Sequence, residues 1–307
     1  MDYRIEKLSA ENIHHLIPLY KAVFREKVSH KFLLKKYDTQ SVGPEFVGFI
    51  AHTPNGTAVA YYGVIPCFFQ LNGKKVIAAQ SADTMTHPDH RKKGLFQKLA
   101  LKTYALAAEQ GIKFVFGFPN QDSYPGFIKL NWQSLPDQLQ AFTIKAANFN
   151  YSRPIYRIPG LFFLYTILLN GIFGAERPDH SFFRENISDE IIRDDTFCLY
   201  KKYSTTHIIT INKVKAWIKV DGKLKVGAVH GLNESNAERF LQRLTAVASR
   251  LGCGEVIFMT SKYSTLYEIL KKDLTPKDAF PIGYLPLLAE KVSMADPSFE
   301  YCDADFF

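Results

Sequence analysis

The chain has few cysteines, and none of them cluster. Among its 307 residues, Cys67, Cys198, Cys253 and Cys302 lie far apart and form no Cys-x-x-Cys pair. This spacing argues against a disulfide-stapled secreted scaffold and against a cysteine-rich zinc site. The opening sequence MDYRIEKLSAEN also lacks the basic-then-apolar pattern of a signal peptide. We therefore expect a reduced, cytoplasmic protein with buried free thiols.

Long blocks of one charge are also missing. The 38 Lys and Arg residues outnumber the 30 Asp and Glu residues by eight, but they occur as scattered pairs such as Lys35-Lys36 and not as a basic tail. This distribution favours an anionic ligand only weakly, and we expect no nucleic-acid partner. A hydrophobic content of 47% over this length predicts a sizeable core and two folded domains.

Only one uncharged apolar run approaches the length of a membrane span. It is IPGLFFLYTILLNGIFGA, residues 158–175, and Pro159, Gly160, Asn170 and Gly171 interrupt it. We therefore predict a buried or domain-bridging helix and no transmembrane segment. Contact of this helix with a membrane surface stays open as an alternative.

Apolar periodicity predicts a mixed α/β fold. Strand-like segments flank Asn55-Gly56 and Asn72-Gly73, which are strong hairpin signals, and a helical pattern follows Gly94. FVFG and LQAFTIK read as later strands around a short helix. Beyond a helical connector, FCLYKKY, HIITINK, KAWIKV and LKVGAVH read as strands, followed by a helix and EVIFMT. We predict domains at residues 1–150 and 196–307, joined by the connector 151–195.

Two stretches of the chain share one pattern. AAEQGIKFVFGFPNQDSYPGFIKL and ASRLGCGEVIFMTSKYSTLYEILKK each place a helix end, a glycine, a strand, a loop and a short helix in that order. This similarity indicates a weak internal repeat. The second copy has VHGLNESNAERF where the first has THPDHRKKGLF, so only the first retains a cluster of cations.

The segment THPDHRKKGLFQKLA, residues 86–100, places Arg91, Lys92 and Lys93 where a helix begins. The helix dipole makes that end partly positive, so an anion is needed to offset the cations. Backbone N–H groups of such a loop can converge on a phosphate, and Gly94 lets the backbone approach closely. A run of solvated charges is the alternative.

Residues 78–132 resemble the GNAT (Gcn5-related) N-acetyltransferase superfamily. The matching elements are THPDHRKKGLFQKL, for the loop and helix that bind the coenzyme, and FGFPNQDSYPGFIKLNW, for a later strand and helix. The resemblance covers about residues 1–145. It implies an α/β (α+β) GNAT fold, with a mixed central sheet flanked by helices. We expect residues 196–307 to form a smaller, degenerate GNAT-like domain without a phosphate loop.

The resemblance also implies acetyl-CoA as co-substrate, with no metal. His87 and His90 flank Pro88 without a cluster of further ligands, which does not favour a metal site. The resemblance assigns cofactor binding to residues of the pyrophosphate loop and the strand before it, and to one residue of the later matching segment: Met85, Thr86, Arg91, Lys92, Lys93, Gly94, Leu95, Phe96 and, in the later segment, Asn120. Phe96 departs from the family, which usually has Gly or Ala at that position.

Catalytic residues are less evident from the sequence. The family's late helix usually presents a tyrosine four residues before a glycine; here Asn131 replaces the glycine and Phe127 the tyrosine, so Tyr124 is the candidate acid. A thiol with a pKa of about 8.5 can also leave without an acid. Asp83 and Glu45 are the candidate bases, and Asp83 would face away from Ala82 unless a β-bulge rotates it.

We therefore expect an enzyme that transfers acetyl to the primary amine of a small molecule, such as an amino sugar, by direct attack. A non-catalytic acyl-CoA sensor, an aminoacyl-tRNA-dependent transferase of related tandem fold and a protein-lysine acetyltransferase stay open as alternatives.

The tail FEYCDADFF offers further carboxylates. Asp303, Asp305 or the terminal carboxylate could serve the first domain's cleft, whereas an aromatic tail closing the second domain's own sheet is the simpler expectation.

Overall fold

The computed structural model describes residues 2–174, 176–183, 189–288, 292–294 and 296–307. Those residues contain 12 strands: β1 (Arg4–Lys7), β2 (Gly48–His52), β3 (Ala58–Leu71), β4 (Lys74–Thr86), β5 (Phe114–Gly117), β6 (Gln133–Lys145), β7 (Glu190–Ile191), β8 (His207–Ile211), β9 (Val214–Val220), β10 (Leu224–His230), β11 (Glu255–Thr260) and β12 (Lys277–Pro286). They also contain nine α-helices: α1 (Leu16–Phe24), α2 (His30–Tyr37), α3 (Leu95–Glu109), α4 (Tyr124–Lys129), α5 (Ser152–Arg157), α6 (Pro159–Phe173), α7 (Asp195–Tyr200), α8 (Ala237–Arg250) and α9 (Thr265–Leu270).

The chain divides into two compact units. The first comprises Met1–Pro136 with Pro281–Ala295, and the second comprises Asp137–Phe280 with Asp296–Phe307. Each unit has its own hydrophobic core. The predicted division at residues 150 and 195 stays a prediction.

The first unit is built on a mixed sheet. Its strands lie in the order β1-β2-β3-β4-β5-β12, and all neighbours are antiparallel except the parallel pair β4 and β5. At the β3–β4 hairpin, Asn72 and Gly73 have φ values of +49° and +75°, as a tight turn of this kind requires. Leu95, Leu99 and Ala107 of α3 pack into the core above this sheet. The mixed α/β fold predicted from the sequence is confirmed.

A β-bulge interrupts the pairing of β3 with β4. Tyr61 pairs with Met85 and Gly63 with Ala82, so two residues of β4, Asp83 and Thr84, lie opposite one residue of β3. Asp83 takes a φ of +48°, in the left-handed region that Asp tolerates better than most residues. The sequence predicted that Asp83 faces away from Ala82 unless a β-bulge rotates it. That bulge is present.

The second unit has a sheet in the order β6-β11-β10-β9-β8, with β10 and β11 parallel. Phe240 and Leu244 of α8 lie in its core. The order β10-α8-β11-α9 therefore repeats the order β4-α3-β5-α4 of the first unit. The weak internal repeat was predicted from this shared order of elements. That the second unit is a degenerate GNAT-like domain stays a prediction.

Two expectations about the second half are wrong. FCLYKKY is not a strand, because Asp194 accepts a hydrogen bond from the Phe197 amide and so begins helix α7. For residues 158–175 the alternative of a buried helix is wrong, because one face of α6 packs on the core while large apolar side chains on the other are exposed; the domain-bridging alternative stays a prediction. Among the described residues, no helix has both the length and the hydropathy needed to cross a bilayer.

The tail packs within the second unit. The Phe307 ring is fully buried, lies 5.3 Å from the Trp217 ring and fills the space that a side chain at Gly227 would need. Asp303 is buried and paired with Arg193. The simpler expectation for the tail, an aromatic anchor in its own unit, is confirmed. Of the four cysteines, all free, Cys67 is half-buried and the other three are buried.

Candidate active site

The parallel strands β4 and β5 pair over a short distance only. Ala79 lies opposite Val115 and Gln80 opposite Phe116, and the register ends there, although β4 continues to Thr86. The bulge at Asp83 and Thr84 follows directly. β5 ends at Gly117, so Met85 and Thr86 are paired with β3 on one side and have no partner in β5 on the other. The carboxyl ends of parallel strands are a common place for a ligand.

The loop after β4 carries unpartnered donors. A 3-10 turn spans Pro88–His90, Lys92 and Gly94 have φ values of +60° and +71°, and α3 begins at Leu95. In the described part of the chain, the amides of residues 92–97 have no hydrogen-bond acceptor. A Cβ at Gly94 would meet nothing within 4 Å, so the approach to these amides is open. Successive free N–H groups at a helix start form an anion site.

The three cations of this loop are solvent-exposed. Arg91 Nε donates to the Thr86 carbonyl at 3.4 Å, and none of Arg91, Lys92 and Lys93 has a carboxylate partner in the described residues. Helix α3 also has no acidic residue in its first turn and no side-chain cap. The positive charge here is thus uncompensated by the protein, which is the condition under which an anion binds most favourably.

The large side chain of Phe96 does not obstruct the loop. Its ring packs against Tyr62 at 5.7 Å and Phe127 at 5.4 Å. A Cβ placed on Gly126 of α4 would lie 2.8 Å from Phe96 Cε1. The ring therefore occupies the space left by the missing side chain of Gly126, and the departure from the family pattern at Phe96 leaves the loop amides free.

Helix α4 places Tyr124 at its first position. The Tyr124 hydroxyl lies 3.1 Å from Ser134 Oγ, and the side chain is half-buried. Phe127, which stands at the family's tyrosine position, is buried with its ring 4.4 Å from that of Trp132. Asn131 has a φ of +62°, which explains why the family prefers glycine there.

Asn120 lies in the turn before α4. Its Oδ1 accepts hydrogen bonds from the amides of Asp122 and Ser123, both at 3.0 Å. Its side-chain carbonyl is therefore used to form the turn. The part of Asn120 that remains for a ligand is its Nδ2 amide.

Asp83 lies in a buried polar cluster formed with α1 and α2. Its carboxylate accepts hydrogen bonds from the hydroxyls of Tyr20 and Tyr37, the latter at 2.6 Å, and it pairs with Lys36 Nζ at 2.7 Å. The Lys36 and Asp83 side chains are only 4% and 10% exposed. Burial, and then the negative charge of Asp83, raise the pKa of both tyrosines well above the usual range, so both remain hydrogen-bond donors.

A second chain of hydroxyls begins at Ser81 of β4. Tyr62 OH lies 3.0 Å from Ser81 Oγ and 2.9 Å from Tyr104 OH, which in turn accepts from Trp132 Nε1 at 3.0 Å. Burial raises the pKa of Tyr104 to about 12. These groups stay protonated near neutral pH, and they can relay a hydrogen bond but not act as bases.

A histidine cluster lies elsewhere in the first unit. Glu6, His15 and His52 each offer one potential metal-ligand atom, all within 4.8 Å of one another, and His15 Nδ1 lies 3.0 Å from His52 Nε2. By contrast, His90 Nδ1 is 2.9 Å from Tyr3 OH, and His87 Nδ1 accepts from the Asp89 amide. The described residues therefore give His87 and His90 structural partners and no third ligand.

Sequence reasoning missed the groups that surround Asp83. Lys36 and Tyr37 end a short helix and look like ordinary surface residues in the sequence, while Tyr20 belongs to a different helix. The buried charge pair has no local signature because its members are 47 positions apart. The one available signal was the residue Asp83 itself, a charged group within an apolar strand.

The comparisons with known proteins address the same region. A family model for the acetyltransferase (GNAT) domain matches residues 4–134. A search of the curated proteins finds no match. The matched residues include the bulge, the loop and helix α4.

Solved structures with the same fold align with nearly the whole length of this chain. A GCN5-related N-acetyltransferase from Kribbella flavida has a TM-score of 0.57 and 11% identity, over 93% of this chain and 72% of that one. A probable N-acyltransferase from Enterococcus faecalis has a TM-score of 0.57 and 12% identity, over 94% and 73%. A putative acetyltransferase from Pyrococcus horikoshii has a TM-score of 0.55 and 10% identity, over 97% and 93%.

At such low identity these structures show the likeness of the fold, and the family model adds the identity of the domain. The matched segment contains strand β4 and the helix-start loop that follows it, and the chain carries a GNAT acetyltransferase domain at residues 4–134.

Proposed function

We propose that the enzyme transfers acetyl from acetyl-CoA to a primary amine of a small molecule, by direct attack in a ternary complex. The observation that carries this proposal is the loop at residues 92–97, where six successive amides lack acceptors beside three unpaired cations. A diphosphate supplies the oxygens and the negative charge that this loop lacks. Phe96 supports the assignment because its ring is directed towards Gly126 and away from the amides.

In this proposal the backbone of Met85 and Thr86 binds the thioester and pantetheine, because β5 has ended and one edge of these peptide groups is not paired with β5. The remaining assigned residues form the phosphate site and its surroundings: Arg91, Lys92, Lys93, Gly94, Leu95, Phe96 and Asn120. Leu95 contributes its amide only, since its side chain is buried in the core. Asn120 contributes Nδ2, the amide group that the turn leaves available.

The chemistry needs a neutral amine. The amine nitrogen attacks the thioester carbonyl, the C–N bond forms as the C–S bond breaks, and the amine loses a proton while the thiolate leaves. We assign Tyr124 as the acid that protonates the thiolate. Its hydroxyl has Ser134 Oγ as a neighbour at 3.1 Å, which orients it. Phe127 is buried and has no proton to give.

We assign Asp83 as the candidate base, or as the group through which the amine proton leaves. Its carboxylate already has two hydroxyl donors and an ammonium. A proton arriving at Asp83 would therefore weaken the pair with Lys36. This coupling means that the role of Asp83 must be tested in a background where the pair has been removed.

Binding of the coenzyme is tested with Arg91→Glu. We expect calorimetry to show at least a ten-fold weaker Kd for acetyl-CoA, because a charge-assisted contact is lost and a repulsion is added. Lys74→Glu is the matched control, since this exposed lysine begins β4 about 40 Å from Thr86 along the strand. An unchanged Kd in Arg91→Glu, or an equal loss in both variants, would contradict the proposed phosphate site.

Activity is tested by release of free thiol from acetyl-CoA over a panel of amines that includes amino sugars. Release that depends on one class of small amine supports the proposal. A non-catalytic acyl-CoA sensor is the second candidate, because Phe127 replaces the usual tyrosine. The sensor would bind acetyl-CoA with normal affinity and release no thiol with any amine.

A further inference from the structure

Helix α6 exposes an apolar face that nothing in the described residues covers. Its inner face is anchored in the second unit, where Leu169 is buried and Tyr165 OH donates to the Leu251 carbonyl at 2.8 Å. Six large side chains on the remaining surface are each between 47% and 65% exposed: Leu161, Phe163, Leu164, Ile167, Leu168 and Ile172. A contiguous exposed patch of this kind marks an interaction surface.

The sequence around this face carries only positive charge. Residues 138–175 contain no Asp or Glu, and their three charged residues are Lys145, Arg153 and Arg157. Arg153 and Arg157 are exposed on α5, the helix that directly precedes α6 and packs against it. A partner that covers the apolar face therefore meets cations at its edge.

Exposed aromatic rings complete the margin of the patch. Phe149 and Tyr151 are both more than 60% exposed and stack with their ring centroids 6.1 Å apart, and Tyr156 on α5 is also exposed. Amphipathic rings and cations at the edge of an apolar face match the chemistry of a membrane interface, where acyl chains meet anionic headgroups. At 15 residues, α6 is about 22 Å long, which suits a helix lying in the plane of a bilayer.

We infer that the exposed face of α6 binds to the surface of a bilayer rich in anionic lipids. The patch inserts its leucine and phenylalanine side chains among the acyl chains, and Arg153 and Arg157 pair with lipid phosphates. A second copy of the chain fits less well. A two-fold interface would bring the same cationic segment against itself, and residues 138–175 have no acid to pair with it.

The test uses the full chain and two kinds of vesicle, pure phosphatidylcholine and an equimolar mixture of phosphatidylcholine and phosphatidylglycerol. We expect flotation with the mixed vesicles, weakened by high salt, and little with the neutral ones. Leu164→Gln with Leu168→Gln should weaken binding at least ten-fold. Leu199→Gln is the control, because Leu199 is similarly exposed (55%) but lies on α7.

Removing the arginines tests the electrostatic part. Arg153→Gln with Arg157→Gln should weaken binding to the mixed vesicles by about five-fold for each charge removed. Circular dichroism establishes that each variant is folded. Flotation with neither vesicle, equal flotation with both, or a stable dimer in light scattering that the leucine variant dissociates would overturn the inference.

Discussion

The buried pair of Lys36 and Asp83 gives the sharpest test of the candidate site. Asp83→Asn keeps an oxygen for the hydroxyls of Tyr20 and Tyr37 but removes the carboxylate that lies 2.7 Å from the Lys36 ammonium. The Lys36 side chain is 4% exposed, so water cannot replace the lost carboxylate. Removing one member of a buried ion pair costs about 3–5 kcal/mol, and we expect a loss of that order in the free energy of unfolding.

The double variant Lys36→Met with Asp83→Asn should regain most of this loss. It contains no buried charge at the site, and replacing a buried pair by uncharged groups is often close to neutral. Urea unfolding of the wild type, both single variants and the double variant forms a complete cycle, with an expected coupling energy of about 2–3 kcal/mol. Lys35→Met is the control for the helix, since Lys35 is the exposed neighbour of Lys36.

The same double variant separates folding from catalysis. If Asp83 receives the amine proton, the stable double variant should release thiol at least one hundred times more slowly than the wild type, while its Kd for acetyl-CoA changes little. Full activity in a folded double variant would refute the assignment of Asp83 as the base. An Asp83→Asn variant as stable as the wild type would refute the energetic reasoning.

Three further predictions concern packing, the pH dependence of stability and a second buried ion pair. Gly126→Ala should destabilise the first unit by about 1–2 kcal/mol in urea unfolding, because its Cβ would lie 2.8 Å from the ring of Phe96; the same change in a Phe96→Ala background should cost almost nothing. Burial lowers the pKa of His207, which is 1% exposed, from 6.5 to about 4. Between these pH values the unfolded chain binds a proton that the folded chain does not, so the free energy of unfolding should fall by about 3 kcal/mol from pH 6.5 to pH 4. His207→Phe should reduce this dependence of stability on pH, as measured in acid titrations followed by fluorescence. Asp303→Asn should lower stability by about 1–3 kcal/mol, because the buried Arg193 guanidinium loses the charge of a carboxylate that it contacts at 2.6 and 2.9 Å and keeps that of Glu190 at 2.7 Å; an unchanged thermal midpoint would contradict this.

Local signals in the sequence predicted much of the fold. Asn72-Gly73 marked the β3–β4 hairpin because a tight turn needs positive φ at both residues. The helical spacing after Gly94 marked α3, and the loop before it was identified from cations placed at the wrong end of a helix dipole. Each of these features depends on residues within a few positions of one another.

The features that the sequence did not predict depend on distant residues. FCLYKKY alternates like a strand, and the competing signal was a single cap, Asp194, whose effect outweighs a weak periodicity. The exposure of α6 could not be read from an apolar run, since hydropathy does not say which face of a helix finds a partner. The environment of Asp83 needed three helical side chains brought to one strand. Likewise, the sequence alone suggests that the Phe96 side chain obstructs the phosphate loop, because it does not show that Gly126 leaves space for the ring.

The two-for-one register at Asp83 and Thr84 has a consequence for the length of β4. Ala82 and Met85 are three positions apart, yet both lie opposite residues of β3 that are two apart, and both are buried. Deleting one residue of the bulge would restore strict alternation and leave Ala82 and Met85 on the same face, opposite Gly63 and Tyr61. The bend and the additional twist that a bulge gives its strand would be lost, together with the left-handed backbone at Asp83. The extra residue therefore sets the direction in which β4 leads into the helix-start loop.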